Sequence, residues 1–440
     1  MQRVKGMRDF SAEMMQEKNI LVNKIKQVFD IFNFKQIDTP VLEYFDTLTK
    51  QGTGGSEIEA QTFNFLDFGK RRVGLRYDLT VPLARYLSQN TNFSIPQKLQ
   101  RFGKVWRYED TKKGRYREFC QYDIDIIGSK DQSADAQILF CAYCVMKNIG
   151  ITNFAFQINN RKLIDGVLNY LGIALDQKIG VMRTIDKIEK LNKQQLLNEF
   201  HKYGIEKIQA NEILNSFALT GPMFDVLKSI KKRFPIAEEP SVRYGFLELE
   251  KLAEYLTSYG IDKVCKFNLS IVRGLDYYTG NVFETTIKEG KQLGNVCGGG
   301  RYDQMLGTFI GKEIPCTGIS FGVDRLLDYF IAKKNEKKAK KKNKMNKNAL
   351  FIANADKEHS LTAMNIASFL REKLKRKKTI IETEITGRNL SNQIKYASNQ
   401  NIRYVLIVGR DFESLGKITL KDLEKHTEEK ISSDLKKIYE

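Results

Sequence analysis

The strongest constraint on the fold is a pair of aromatic-rich strand patterns joined by a short polar loop. The first, "KLQRFGKVWRYED", begins at Lys98, and the second, "RYREFCQYDIDIIG", ends at Gly128, with "TKKG" between them. Side chains of a β-strand point alternately to two faces, and both segments alternate in this way. A connection this short predicts an antiparallel hairpin. We therefore expect an antiparallel sheet.

Alternation divides this hairpin into two faces of different chemistry. One face of the second strand is mainly apolar, with Cys120, Tyr122, Ile124 and Ile126. The other face carries Arg115, Arg117, Phe119, Gln121, Asp123 and Asp125, and on the first strand Arg107 and Glu109 oppose Trp106 and Tyr108. Guanidinium groups, an aromatic platform and graded hydrogen-bonding groups suit a ligand with phosphate or carboxylate groups. The alternative is the solvated face of an antiparallel sheet.

The size and charge of the chain indicate its organisation and its partner. With 440 residues it is expected to form two or three domains, and a formal charge of +19 favours a polyanion, with nucleic acid as the leading candidate. The alternative is a basic soluble protein without such a partner. The N-terminus "MQRVKGMRDF" lacks the apolar core of a signal peptide, and no stretch approaches a membrane span, so we expect a cytoplasmic protein.

Cysteine and histidine are not expected to carry the chemistry. Cys141 and Cys144 form a CxxC in an apolar run without further zinc ligands, which favours thiols packed in a helix. The three histidines are far apart in polar surroundings, so a histidine metal site or a Ser-His-Asp triad is improbable. We expect no protein-held metal.

Periodicity divides the chain into five segments. A helix is expected from Glu13 to Phe32 and another from Ser133 to Asn148, on either side of the hairpin. In "VGLRYDLTVPLARYLSQN" we expect a strand up to about Thr80 and then a helix with Pro82 in its first turn. Strand character returns in "VCKFNLSIVRGLDYYTGNVFETTI", "GNVCGGGRYDQML" and "CTGISFGVDRLLDYFI". The expected segments are a mixed helix and strand portion in 1–171, a helical insertion in 172–259, a second such portion in 260–332, a lysine-rich linker in 333–348 and a small, largely parallel α/β domain in 349–440.

Two glycine-bounded segments add candidates for the ligand-binding face. "RGLDYYTG" places Arg273 four and five residues before Tyr277 and Tyr278, although it also fits an aromatic strand with a turn. "CGGGRYD" contains three successive glycines, whose missing side chains let a ligand approach the backbone. Neither segment matches a P-loop or a dinucleotide-binding fingerprint.

Together these motifs resemble those of class II aminoacyl-tRNA synthetases. "FGKVWRYEDTKKGRYREFCQYDID" resembles motif 2, "TGISFGVDRLL" resembles motif 3, and the segment with "IDTPVLE" resembles motif 1. "LRYDLT" and "RGLDYYTG" resemble the particular signatures of the histidyl-tRNA synthetase family, and "GRNLSNQIKYASNQNIRYVLIVGRD" resembles its anticodon-binding domain. The resemblance implies an α+β catalytic domain with an antiparallel sheet flanked by helices, plus a helical insertion and a C-terminal α/β anticodon-binding domain.

The resemblance also implies a role for each candidate residue. Arg107 and Arg273 would act on the α-phosphate and carboxylate as catalytic residues. The ATP-binding residues would be Arg107, Glu109, Arg115, Phe119 and Arg325. The histidine-binding residues would be Asp78, Thr80, Arg107, Gln121, Asp125, Arg273, Tyr277 and Tyr278.

The implied reaction is histidine–tRNA ligation by a homodimer that uses ATP with Mg²⁺ and binds L-histidine and tRNA(His). Two alternatives belong to other functional classes. A regulatory subunit like that of ATP phosphoribosyltransferase would lack the anticodon-binding domain. An RNA-sensing domain like those fused to stress kinases would have lost site arginines and would adjoin a kinase.

Overall fold

The computed structural model describes residues 1–50, 55–111, 114–188, 190–236, 238–272, 277–338, 345–377 and 379–439. The chain divides into two compact units, residues 1–333 and 334–440. In the part that the structure describes, no helix combines the length and the apolar character needed to cross a bilayer.

The N-terminal portion of the first unit mixes helices with strands of two sheets. In chain order its elements are α1 (Ala12–Ile31), β1 (Lys35–Gln36), β2 (Leu42–Tyr44), α2 (Phe45–Leu48), α3 (Gly55–Gln61), β3 (Asn64–Leu66), β4 (Arg72–Leu75), α4 (Thr80–Gln89), β5 (Gln97–Trp106), β6 (Glu118–Ile127), α5 (Gln132–Asn148), β7 (Phe154–Asn160) and α6 (Arg161–Tyr170).

The remainder of the first unit begins with helices and returns to the sheet. Its elements are α7 (Leu175–Ile185), α8 (Lys193–His201), α9 (Lys207–Phe217), β8 (Thr220–Pro222), α10 (Met223–Arg233), α11 (Pro240–Ser258), a 3₁₀-helix (Asp262–Val264), β9 (Cys265–Asn268), β10 (Asn281–Ile287), a 3₁₀-helix (Lys288–Leu293), β11 (Cys297–Arg301), α12 (Met305–Ile310), β12 (Cys316–Gly322) and α13 (Val323–Lys338).

A nine-stranded sheet with the order β1-β5-β6-β12-β11-β10-β7-β9-β8 organises the first unit. Its central strands, in the order β5-β6-β12-β11-β10-β7, are all antiparallel to their neighbours. Towards the edges β1 pairs with β5 and β7 with β9 in parallel, and β8 pairs with β9 antiparallel. A second, three-stranded antiparallel sheet has the order β2-β4-β3. The predicted antiparallel sheet is therefore confirmed.

Side-chain caps fix where the helices around the large sheet begin. The side chain of Asp131 accepts a hydrogen bond from the Ser133 amide before α5, and Asn160 accepts from two amides at the start of α6. Such caps satisfy amides that have no partner within the helix. Proline lies in the first turn of α4, as the sequence predicted, because its missing donor is not needed there.

One hydrophobic core joins the sheet to the helical segment that follows α6. Phe29 of α1, Tyr122 of β6 and Leu139 of α5 belong to the same buried cluster as Phe217 of α9 and Leu252 of α11. The helices between α6 and β9 thus share the core of the sheet, and β8 from this segment forms one edge of the sheet. Cys141 is buried in α5 and Cys144 is half-buried there.

The second unit is a five-stranded α/β domain with two buried clusters. Its elements are β13 (Asn346–Asn354), α14 (Ser360–Lys373), a 3₁₀-helix (Lys375–Lys377), β14 (Ile380–Thr383), α15 (Leu390–Asn399), β15 (Ile402–Val408), α16 (Arg410–Leu415), β16 (Lys417–Asp422), β17 (Thr427–Ser432) and α17 (Lys436–Tyr439). The sheet order is β14-β13-β15-β16-β17.

Three sequence expectations need correction. The strands of the predicted hairpin are shorter than expected, because β5 ends at Trp106 and β6 begins at Glu118. Residues 107–117, rather than "TKKG" alone, therefore separate the paired strands, and Arg107, Glu109 and Arg115 lie between the strands and not on them.

The other two corrections concern the C-terminal sheet and the strand before α4. The C-terminal sheet is not largely parallel, because β14, β13 and β15 pair in parallel while β16 and β17 extend the sheet antiparallel. The strand in "VGLRYDLT" ends at Leu75 and does not reach Thr80. The residues between them include Asp78, whose side chain accepts hydrogen bonds from the first amides of α4.

Candidate active site

The charged face predicted on β6 is covered by protein only at its far end, since Phe119 and Gln121 are half-buried. Asp123 and Asp125 are only 4% and 3% exposed. In register, Gln121 lies opposite Gly103 of β5 and Gly322 of β12, and Asp125 lies opposite Gly318. The missing side chains of these glycines make room for others, because Arg76 packs over Gly103 and the Asp125 carboxylate packs over Gly318. The interpretation of this surface as a solvated sheet face is therefore wrong at the two aspartates.

Arg107, directly after β5, is held against aromatic rings. Its guanidinium carbon lies 4.3 Å from the ring centroid of Tyr77 and 5.4 Å from that of Phe119. Its Nε donates to the Tyr77 carbonyl oxygen at 3.1 Å. Cation–π contacts and a backbone hydrogen bond together restrict the rotamers of this side chain. The structure thus places Arg107 next to Phe119, as the ATP interpretation requires of both.

Three arginines surround the carboxylate of Glu109. Arg115 Nε donates to Glu109 Oε2. Burial alone would raise the pKa of Glu109, but this hydrogen bond and the charges of Arg115, Arg107 and Arg325 outweigh it and lower the pKa. Burial, together with Arg115 and Arg107, lowers the pKa of Arg325. This excess of guanidinium groups suits an anionic ligand.

Arg325 is anchored at the start of α13, where motif 3 was expected. Its Nε donates to the Gly114 carbonyl oxygen at 3.2 Å and its Nη1 to that of Asn295 at 2.5 Å. The first contact is to the loop that follows β5, and the second is to the segment before β11. Backbone contacts therefore fix Arg325 beside the arginines that follow β5.

Asp78 lies at the positive end of α4 with one oxygen left for a ligand. Its Oδ1 accepts hydrogen bonds from the amides of Thr80 at 3.0 Å and Val81 at 2.9 Å. Its Oδ2 is buried and accepts from no residue in the described part of the chain. Burial raises the pKa of Asp78, and hydrogen bonds from both amides and the charge of Arg107 oppose this. Thr80, at the first position of α4, is also buried.

Gln121 and Asp125 contribute acceptors from β6. Gln121 Oε1 is buried and has no hydrogen-bond partner among the described residues. Asp125 Oδ1 accepts from the Tyr302 hydroxyl, and Asp125 Oδ2 accepts from Arg101 Nη2. A carboxylate oxygen has two lone pairs, so Asp125 retains acceptor capacity.

Tyr277 and Tyr278 are placed near these carboxylates. Their ring centroids are 4.8 Å apart, and Tyr277 is 5.9 Å from the ring of Tyr302. Burial raises the pKa of both hydroxyls, and the charge of Asp78 adds to the increase in each. The charge of Asp125 also raises the pKa of Tyr278. Both tyrosines therefore belong to the same pocket as the two carboxylates.

The glycines of β11 and β12 serve protein packing as well as ligand access. A methyl group on Gly300 would lie 2.9 Å from the ring of Tyr278, and one on Gly318 would collide with the Asp125 carboxylate. At Gly298 a methyl group would meet only one backbone oxygen, at 3.8 Å. A side chain could therefore be accommodated at Gly298, whereas Gly300 must lack one so that the ring of Tyr278 can pack against it.

Arg273 lies outside the described residues, as do the other residues of 273–276.

Four residues of the site were not predicted from the sequence. Tyr77, Arg101 and Tyr302 were not among the candidates, and Asp123 was assigned to the polar face of β6 but given no role. Alternation along β5 was a usable signal, because Arg101 lies two and six residues before Gly103 and Arg107 on the same strand pattern. In the described ranges, no group of three or more His, Cys, Asp or Glu side chains is placed to hold a metal ion.

Comparisons with known proteins agree with this arrangement. A family model described as histidyl-tRNA synthetase matches residues 6–326, and one described as anticodon binding domain matches residues 349–438. A histidine–tRNA ligase of Clostridium tetani is 34% identical over 429 residues, which are 96% of this chain and 94% of that protein. One of Aeropyrum pernix is 37% identical over 326 residues, which are 74% of this chain and 73% of that protein.

A solved structure extends the similarity to the fold. The crystal structure of histidyl-tRNA synthetase from a Nostoc species matches with a TM-score of 0.80 at 29% identity, covering 99% of this chain and 97% of that chain. The match over residues 349–438 also opposes the regulatory-subunit alternative, which was expected to lack an anticodon-binding domain. The chain therefore belongs to the histidyl-tRNA synthetase family.

Proposed function

We propose that the polar face of β5, β6 and β12 is the site where histidine is activated with ATP. The observation that carries this proposal is the proximity of two dissimilar parts on one sheet face. Arg107, Arg115 and Arg325 surround one carboxylate. A pocket with the buried acceptors Asp78 and Asp125 adjoins them, because the charge of Arg107 acts on Asp78 and its Nε donates to the carbonyl oxygen of Tyr77. The first part suits a polyphosphate and the second suits an amino acid with several donors.

The chain is a histidine–tRNA ligase, an aminoacyl-tRNA synthetase. It activates L-histidine with ATP to histidyl-adenylate, then transfers histidine to the 3′ end of tRNA(His), with release of diphosphate and AMP. The first step is attack of the histidine carboxylate on the α-phosphate. The substrate itself supplies the nucleophile, so the protein's part is to align the two reactants and to stabilise charge on the phosphate oxygens.

On the ATP side, we assign the α-phosphate and the histidine carboxylate to Arg107. Its position between Tyr77 and Phe119 supports this assignment, because a restrained guanidinium loses little entropy on binding. We assign the adenine edge to Glu109, the base to the ring of Phe119, and the outer phosphates and the second face of adenine to Arg115 and Arg325. Arg273 is proposed to approach the α-phosphate on the basis of the motif that contains it.

On the histidine side, the buried acceptor atoms support the assignment of the α-ammonium and the ring. Asp78 Oδ2 and Gln121 Oε1 lack partners among the described residues and would accept from the ammonium together with Thr80. Asp125 and Tyr278 would bind the two ring nitrogens, and Tyr277 would line the pocket. An apolar amino acid would leave these buried groups without partners, which gives selectivity without editing.

We further propose that Mg²⁺ reaches the site bound to ATP as part of the substrate, that the enzyme acts in the cytoplasm, and that it is a homodimer. Exposed apolar side chains on and beside the three-stranded sheet support the dimer: Leu42, Tyr44, Phe65, Leu66 and Phe68. A cluster of large apolar residues on a surface usually marks an interface.

We also propose a role for each segment of the chain. We assign 1–171 and 260–332 to the catalytic domain, 172–259 to a helical insertion near the tRNA acceptor arm and 349–440 to anticodon binding. The lysine-rich linker is assigned to 333–348, although α13 extends into it as far as Lys338 and β13 begins within it at Asn346. The experiment that tests the function is ATP–diphosphate exchange with each of the twenty amino acids, followed by aminoacylation of tRNA(His). Exchange that is absent with histidine, or equal with other amino acids, would refute the proposal.

A further inference from the structure

A buried arginine lies among the carboxylates of the proposed histidine pocket. None of the roles assigned above involves this arginine. Arg101, in β5, is only 2% exposed and faces Asp123 in the sheet register. Its Nη2 donates to Asp125 Oδ2 and lies 3.9 Å from Asp123 Oδ2. Its Nε and Nη1 are buried without a partner among the described residues. A buried guanidinium is costly unless its charge is used.

Arg101 determines how Asp125 is presented. The carboxylate accepts from the guanidinium on Oδ2 and from the Tyr302 hydroxyl on Oδ1, so contacts on both sides restrict its rotation. Gly318 packs against the same carboxylate, because a side chain there would collide with it. Asp125 is therefore held as an acceptor with a fixed direction. Without Arg101, two buried carboxylates on one face of β6 would lose the cation between them.

The local charge balance has a consequence for the ligand. The ionisable groups around Asp125 are Arg101 from β5, Asp123 from β6, Asp78 at α4, Tyr302 after β11, Tyr278, and the Cys316 thiol of β12. A second buried arginine, Arg76, lies close enough for its charge to act on Arg101 and Asp123. Burial raises the pKa of Asp123 to about 7; Arg101 opposes this and Asp125 adds to it. The pair of Arg101 and Asp125 is neutral as a unit. A neutral imidazole can donate to Asp125 without adding charge, whereas an imidazolium would place a second cation beside Arg101.

We propose that Arg101 is a positioning residue that directs the Asp125 carboxylate toward the neutral imidazole of histidine and disfavours the imidazolium form. This inference rests on the proposed function and extends it to the ionisation state of the substrate. Arg101 acts through Asp125 and is not assigned a contact with a reacting atom.

The test compares wild type with Arg101→Met, which removes the charge at similar length, and Arg101→Lys, which keeps it. Exchange is measured between pH 6 and 8.5 with histidine and ATP varied separately. For wild type we expect the KM for histidine to rise below about pH 6.5, where the free imidazole gains a proton. For Arg101→Met we expect the KM for histidine at pH 8 to be at least tenfold higher than that of wild type, and the KM for ATP to stay within twofold. We also expect the KM for histidine of this variant to rise less than that of wild type when the pH is lowered. Arg101→Lys should recover part of the loss.

Proton counting gives an independent readout that needs no turnover. Calorimetric titration of histidine alone, in buffers of different ionisation enthalpy at pH 6.5, should show release of about half a proton on binding to wild type, because about half of free histidine is protonated there. Arg101→Met should release less. Equal proton release by the two proteins would contradict the inference.

A matched control separates positioning from stability. Arg301 is also a buried arginine paired with an aspartate, Asp135, but it lies on the opposite face of the sheet. Arg301→Met should lower the melting temperature without changing the ratio of the two KM values. If Arg101→Met behaves in the same way, or raises both KM values equally, Arg101 is only structural. Failure of wild type to activate histidine would instead refute the proposed function.

Discussion

The Arg107 guanidinium lies over the ring of Tyr77 at 4.3 Å and donates from Nε to the Tyr77 carbonyl oxygen at 3.1 Å. Tyr77 immediately precedes Asp78, whose side chain caps α4. The contact therefore connects the proposed phosphate-binding arginine to the segment that presents the proposed ammonium-binding carboxylate. Both substrates would be oriented by one short segment, "RYDLT", as alignment of two reactants requires.

Replacement of Arg107 should act mainly on the chemical step. For Arg107→Ala we expect ATP–diphosphate exchange with histidine to fall by about 100-fold or more, because loss of one preorganised charge at a developing phosphate charge has effects of this size. Arg107→Lys should be intermediate, because it keeps the charge without the planar fork. Melting temperatures would verify that both variants fold. Exchange by Arg107→Ala within threefold of wild type would exclude the assigned role.

Asp78 allows its two oxygens to be tested separately. Asp78→Asn keeps an Oδ1 that can cap α4 but replaces the charged Oδ2, so we expect an intact fold and a KM for histidine about 10- to 100-fold higher, in line with loss of a charged hydrogen bond. Asp131 caps α5 in the same way and is exposed. Asp131→Asn is therefore the matched control, with an unchanged KM. A similar KM for both variants would contradict ammonium binding at Asp78.

Much of this architecture is predictable because it follows from local alternation. The antiparallel pair β5 and β6, the helices α1, α4 and α5, and the start of the C-terminal domain follow from residue spacing. Alternation also identified a polar face on β6, but it could not show that Asp123 and Asp125 are buried. Burial depends on what packs over a strand, and here Tyr302 comes from residues far along the chain.

Arg101 illustrates the limit more sharply. Its strand and face are evident from the sequence, but its partner is not, because Asp123 and Asp125 are both within reach across the sheet. The antiparallel extension by β16 and β17 was missed for a related reason, since spacing does not give the direction of pairing. Long-range pairing, rather than local pattern, determines both features.

Glu109 should affect ATP more than histidine. Its hydrogen bond with Arg115 and its position among three arginines connect it to the proposed nucleotide side of the site. For Glu109→Ala we expect the KM for ATP to rise about tenfold, as expected for loss of about 1.4 kcal/mol of binding, with the KM for histidine unchanged. The exposed pair of Lys104 and Glu118 provides the control, because Lys104→Ala should change neither KM. A larger effect on histidine would contradict the assignment.

The proposed dimer can be tested at the three-stranded sheet. Leu66→Asp introduces a charge among the exposed apolar side chains, so we expect sedimentation velocity to show a shift from dimer toward monomer. Phe224→Asp changes an exposed aromatic residue of α10 and should leave the dimer intact. Wild-type protein that sediments as a monomer would refute the dimer, and dissociation by both variants would argue against this particular surface.

Asp123 predicts a pH dependence of stability. Burial raises its pKa from an ordinary value near 3.8 to about 7, so the folded protein keeps a proton that the unfolded chain loses. Because the folded state then binds more protons between about pH 4 and 7, this group's contribution to stability decreases as pH rises through that window and is constant above it. At about 1.4 kcal/mol per pKa unit, the decrease is at most roughly 4 kcal/mol. Asp123→Asn removes this titration. We therefore expect the free energy of unfolding of the variant, measured with urea, to be higher relative to that of wild type at pH 8 than at pH 5. An unchanged difference between wild type and variant at the two pH values would show that Asp123 is ionised throughout.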